Sequence, residues 1–306
     1  MRLINTTTLE LKSFADDDEV TYQEIMTRDI RSSPVASKKG FHKIAMTCRL
    51  AREKHALEWA WIDTCCIDKS SSAELSEAIN SMYDYYSKSE ICFACLEELN
   101  LRRPEPPDDE DSVADSGGSD DGWEVYPKGI QACRWFSRGW TLQGLIAPSN
   151  LEFRDSQWNI RGTKKSLSKA LEIIAGICEE VLKDGELHWS PVATRMSWAA
   201  RRNTKRDEDM AYCLLGIFDV NMPLLYGEGG EKAFLRLQEE ILKINPNPSL
   251  FAWTTDWLTI LLERFCGVLA TSPSKFRDTP RLLPTTGLQL EPPDISTTRI
   301  PPRLWT

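Results

Sequence analysis

Apolar positions along the chain alternate between two patterns, short continuous runs and helical stripes. In Lys43–His55 (KIAMTCRLAREKH), Ile44, Thr47/Cys48 and Ala51 recur at helical spacing, which predicts an amphipathic helix. Trp59 to Ile67 (WAWIDTCCI) is a short aromatic and β-branched run that suits a buried strand. Asp68 and Ser70 to Ser72 then offer N-caps for a helix, AELSEAINSMYDYYSK, with Leu75, Ile79, Met82 and Tyr86 on one face. Ile91 to Leu96 reads as a second buried strand. Ala132 to Ile146 reads as a helix stopped before Pro148, and Leu151 to Phe153 as a further strand.

Strands alternating with helices predict an α/β fold with a parallel sheet flanked by helices. In such sheets ligands sit at the carboxyl ends of the strands, which makes Asp63 to Asp68 the expected rim of a crevice. Beyond Leu167 the pattern becomes mainly helical, with helices predicted at Leu167–Leu182, Asp207–Phe218 and Glu231–Lys243. The proline-rich residues 251–306 read as an irregular tail, as a truncated chain would leave. The organisation that follows is residues 1–155, 156–250 and 251–306.

Composition changes this picture in one place. The net charge is −9, but residues 104–127 carry nine acidic residues and no basic ones, and outside them 37 acidic residues face 37 basic ones. This Pro, Gly, Ser and acid segment has almost no aliphatics and reads as a disordered insert. The remainder is near neutral, without the basic stripe a nucleic-acid binder needs. No stretch approaches the ~20 apolar residues of a membrane span, and MRLINTTTLELKSF lacks the apolar core of a signal peptide, so a cytoplasmic location is expected.

Nine cysteines, mostly inside apolar runs, read as reduced core thiols. Cys65-Cys66 and Cys92-x-x-Cys95 fall on predicted strands, where adjacent residues point to opposite faces, so no metal site is expected. Gly227-Glu228-Gly229-Gly230 opens a helix without P-loop spacing and reads as an ordinary turn rather than an anion site.

Three stretches carry a family resemblance. WIDTCCIDKSSSAELSEAINSMYDYY (61–86), CRWFSRGWTLQGLIAPSNLEF (133–153) and RMSWAARRNTKRDEDMAYCLLGIFDVNMPLLYGEGGEKAFLRLQEEI (195–241) resemble the motifs of the fungal heterokaryon-incompatibility (HET) domain family. The resemblance implies a role in self/non-self recognition and programmed cell death, with homotypic or HET/NLR-type protein partners. HET domains are in turn similar to TIR domains, which implies a flavodoxin-like sheet and, in some branches, cleavage of NAD as a substrate. Two features depart from the family pattern. The strand reading roughly ILSHTWG is missing, because Phe14 runs directly into Ala15. The family's TLQEL is Thr141-Leu142-Gln143-Gly144-Leu145, so the expected catalytic glutamate is Gly144.

A carboxylate beside the ribose would stabilise the oxocarbenium-like state of nicotinamide–ribose cleavage, and glycine cannot. Glu74 and Glu77 are the nearest alternative carboxylates, Glu74 doubling as a first-turn acid favoured by the helix dipole. Asp63, Cys65, Asp68, Arg138 and Trp140 are the candidate pocket residues, with Arg138 suited to a phosphate and Trp140 to stacking, although a tryptophan packed into the core with an arginine at its rim is the simpler reading of that pair. The expectations to test are therefore an incompatibility effector or degenerate relative, a TIR-like NAD-cleaving enzyme, and a non-catalytic interaction module, with no bound cofactor.

Overall fold

A computed structural model describes residues 1–14, 39–99, 129–255 and 267–279. The acidic segment 104–127, the junction after Phe14 and the end of the tail lie outside the described residues.

The fold is mixed α/β, and the strands among the described residues form two three-stranded sheets. In the first, β1 (Arg2–Asn5) lies between β2 (Leu11–Ser13) and β3 (Trp59–Ala60), antiparallel to both. Asn5 makes the turn between β1 and β2, its Oδ1 accepting from the amides of Thr7 and Thr8, each at 3.0 Å. Helix α1 (Lys39–His55) supplies Ile44 and Cys48 to a small core with Ile4, Leu9 and Cys66. In the second sheet, β4 (Cys92–Leu96) pairs in parallel with β5 (Leu151–Asp155), Cys92 opposite Leu151. Strand β5 then pairs antiparallel with β6 (Ile160–Thr163). Among the described residues β4 is an edge, with no strand on its other side.

The strand expected over Trp59–Ile67 ends at Ala60, and residues Asp63–Cys66 form the helical turn α2. The Ile62 carbonyl accepts from the amides of Cys65 (3.1 Å) and Cys66 (2.8 Å), and Cys66 Sγ accepts from the Ile62 amide at 3.3 Å. These local bonds replace a ladder. They also correct the view of Cys65 and Cys66 as neighbours on opposite faces of a strand: their sulfurs lie 4.0 Å apart.

Helix α3 (Ser72–Ser87) forms as its periodicity predicts, with Ser71 as N-cap and Ala78, Ile79 and Met82 buried. The helix expected over Ala132–Ile146 is instead two 3-10 turns, Ile130–Ala132 and Arg134–Ser137, followed by α4 (Thr141–Ile146). The reason is tertiary. Arg138 is extended and bridges Asn203 in parallel, the Gly139 amide donating to the Asn203 carbonyl (2.9 Å) and the Asn203 amide to that of Ser137 (2.7 Å). Backbone groups used across the fold cannot also close helical turns.

The expected helix Leu167–Leu182 divides into α5 (Ser168–Ala175) and α6 (Glu179–Asp184), because Gly176 takes a left-handed conformation (φ 70°) that terminates the first. Beyond α7 (Val192–Ser197), the expected helix Asp207–Phe218 divides into α8 (Asp209–Tyr212) and α9 (Leu215–Phe218). Gly216 in α9 lies so close to α3 that a Cβ there would come within 2.1 Å of Tyr83 Cβ. Helix α10 (Gly230–Ile244) contains the predicted Glu231–Lys243 and buries Ala233, Phe234, Leu237 and Ile241. The large core joins β4, β5, α3, α4 and these helices, with Phe153, Tyr212 and Phe234 among its fully buried side chains. No described helix is long and apolar enough to cross a membrane.

Candidate functional site

Gly144 sits buried in α4 and faces the ring of Tyr86 on α3. A Cβ on Gly144 would lie 3.6 Å from Tyr86 Cζ and 3.9 Å from its hydroxyl oxygen, an ordinary contact. Burial pushes the Tyr86 hydroxyl well above its usual pKa, the Asp63 charge adds to that, and Arg138 opposes it. Asp63 and Arg138 are thus the charges nearest this tyrosine from α2 and from the loop before α4. Both are exposed. Trp61 closes one side of Tyr86, edge-on at 5.6 Å between ring centroids.

Trp140 is partly buried and hydrogen-bonds the Asp209 carboxyl, which also accepts from the Tyr226 hydroxyl at 3.0 Å. Burial raises the pKa of Asp209, and these two donors counter it. The tryptophan thereby belongs to the packing of α4 against α8. Cys65 is partly buried beside Cys66. Its thiol is pushed far above its usual pKa by the hydrogen bond to Cys66 and by burial. A thiol held protonated is a poor nucleophile.

Asp68, Glu74 and Glu77 gather elsewhere, around the N-terminus of the chain. Glu74 Oε1 accepts from Arg2 Nε (2.7 Å) and from the Asp68 amide (2.9 Å), and lies 2.6 Å from Arg2 Nη2. Asp68 Oδ1 accepts from the Ser70 amide at 2.9 Å, and its Oδ2 lies 3.7 Å from Arg2 Nη2. Glu77 is 3.7 Å from the terminal amino group of Met1. Glu74 therefore fastens β1 to the start of α3. The structure sets Asp63 and Arg138 near Tyr86, Trp140 in the packing on Asp209, Cys65 beside Cys66, and Asp68, Glu74 and Glu77 in a clamp at β1.

Sequence reading missed Tyr86 as a site residue, since its helical spacing marked it as core. It also missed Arg2, whose partner lies 72 residues away. The glycine turn at Gly227 is closed internally. Glu208 Oε1 accepts from the amides of Gly227 (2.9 Å) and Gly229 (3.1 Å), filling the place an external anion would take. Arg236 pairs Glu228 from α10, its Nε donating to Oε2 at 2.9 Å. Among the described residues no group of three or more His, Cys, Asp or Glu side chains could hold a metal ion.

Comparison with known proteins accords with the motifs. Residues 13–144 match the family described as heterokaryon incompatibility protein (HET). Residues 232–279 match a domain of unknown function (DUF8212). The vegetative incompatibility protein HET-E-1 of Podospora anserina is 41% identical over 228 residues, 74% of this chain and 15% of that relative. The chain thus spans a small part of the relative's length. No solved structure matches. Residues 13–144 of this chain thus belong to the heterokaryon-incompatibility (HET) domain family.

Proposed function

We propose that the chain is a HET-domain protein of the vegetative-incompatibility type, a degenerate copy that acts in self/non-self recognition and cell death through contacts rather than catalysis. Similarity to HET-E-1 across 228 residues supports the incompatibility role, and Gly144 carries the non-catalytic part of the reading. Its partners on this reading are intact HET or HET/NLR-type proteins in the cytoplasm, engaged homotypically. Inducible expression in a filamentous fungus tests it. Hyphae should stay viable when the chain is induced alone, and co-expression with an intact HET protein should change the timing of cell death. Death on expression alone would remove the degenerate part of the reading.

A second reading, a TIR-like, flavodoxin-type ancestor that cleaved NAD, draws on the surroundings of Gly144. Gly144 faces Tyr86 with room for a Cβ, and Asp63 and Arg138 act on that tyrosine. A glutamate there would bring a carboxylate toward Tyr86, and a carboxylate is what the oxocarbenium-like state of nicotinamide release calls for. Purified wild-type protein should release no more nicotinamide from NAD than a buffer blank, and Gly144→Glu should exceed it. No release by the variant removes this reading and leaves the first intact.

A further inference from the structure

Behind the segment that carries Arg138 and Gly144 is a cavity of about 470 Å³, lined by Ala200, Arg201, Arg202, Asn203, Ser274 and Arg277. None of the six is acidic, and three are arginines. Arg201 and Arg277 are exposed. Arg202 is only 5% exposed. Its Nε donates to the Trp198 carbonyl (3.2 Å), and its Nη1 donates to the Arg138 carbonyl (2.9 Å) and the Thr141 hydroxyl (3.1 Å). Its Nη2 is buried with no partner. Leaving a guanidinium nitrogen desolvated and unpaired is unfavourable unless something accepts from it.

We propose that this cavity is a phosphate-binding site in which Arg201 and Arg277 hold the anion from the rim while the buried charge of Arg202, which has no carboxylate partner among the described residues, attracts it from below. Three guanidinium groups from two chain segments, the adjacent Arg201 and Arg202 and the distant Arg277, suit a tetrahedral dianion, free or carried by a small molecule, better than a single carboxylate. Asn203 and Ser274 add neutral polar groups at the same mouth. The site also has a mechanical connection. Arg202 grips the Arg138 carbonyl and the Thr141 hydroxyl, so an anion drawn toward its charge also bears on the start of α4. The inference is independent of the reading of Gly144.

Titration of the full chain with inorganic phosphate, pyrophosphate and adenosine diphosphate, at constant ionic strength, tests it. At least one probe should bind, and the double variant Arg201→Gln/Arg277→Gln should bind at least about tenfold more weakly, as loss of two charge-assisted contacts implies. Both substituted side chains are exposed, so the unliganded melting temperature should stay within about 2 °C of wild type. Tighter binding of the diphosphate nucleoside than of pyrophosphate assigns the anion to a nucleotide, and equal binding assigns it to free phosphates. Hydrogen exchange should slow at residues 138–142 when the ligand is present. Binding of none of the three probes, equal binding by the double variant, or binding without added protection at 138–142 would each overturn the proposal.

Discussion

Two glycines in neighbouring helices give opposite expectations at the residue scale. At Gly144 an added methyl meets Tyr86 at ordinary contact distance, and α4 gains a better helix former. Gly144→Ala should therefore be neutral to stabilising, by up to about 1 kcal/mol in urea denaturation. At Gly216 the same methyl would overlap Tyr83 Cβ at 2.1 Å, where neither the side-chain root nor the backbone can move freely. Gly216→Ala should destabilise by about 1–3 kcal/mol, the range of overpacked core positions. If both substitutions cost the same, the contrast between an open and a closed helix contact is wrong. Gly144 drew notice as a break in a motif, but its free space is a property of Tyr86 packing and is not written in the local sequence. Gly216 carried no warning at all. A glycine in a helical stripe looks like a weak residue until the opposing helix is known.

At the scale of elements, periodicity made α3 and α10 legible because each buries one long face. The short helices α4, α8 and α9 were not, since tertiary bonds fix their ends. Residues 137–139 are held by Asn203, from a distant segment. The site suffered from the same limit: Arg2 and Glu74 could not be paired by any spacing rule. The turn before α10 is a third case, and it can be tested by pH. The Glu208 carboxyl is held below its usual range of 4.5 by backbone hydrogen bonds, those from Gly227 and Gly229 among them. A carboxyl with a lowered folded pKa contributes stability above its unfolded value, and loses it as pH falls through the folded value. Glu208→Gln should therefore lower the melting temperature at pH 7 by about 2–4 °C, a change on the order of 1 kcal/mol. The difference from wild type should shrink below about pH 4.5, the value at which an unfolded glutamate begins to protonate. A difference unchanged between pH 7 and pH 3 would show that the carboxylate charge is not what holds this turn.

At the scale of the molecule, the described residues form two cores of unequal size. Strands β1, β2 and β3 with α1 rest on a small cluster of Ile4, Leu9, Ile44, Cys48 and Cys66, whereas α7 to α10 join β4 and β5 in the large one. The sequence predicted a parallel sheet from the segments that became β3, β4 and β5. Among the described residues the strands instead divide into two sheets, in which β4 and β5 are the parallel pair. Trp61 touches both clusters, and the Arg2–Glu74 pair and the Lys43–Glu97 pair are among the ties between the two regions. Arg2 is largely shielded while Lys43 and Glu97 are half exposed, so the first tie should matter more. A small apolar cluster contributes less to resisting local opening than a large one, and charged ties restore only part of the difference. Native-state hydrogen exchange should thus show amides of residues 2–5 and 59–62 opening at lower free energy than those of 233–241. Glu74→Ala removes the acceptor shared by Arg2 and the Asp68 amide. It should speed exchange in 2–5 by about tenfold, the equivalent of ~1.4 kcal/mol, and leave 233–241 unchanged. Equal protection of the two regions in the wild type would show that the clusters open together, and the Arg2 clamp would then have no separate element to hold.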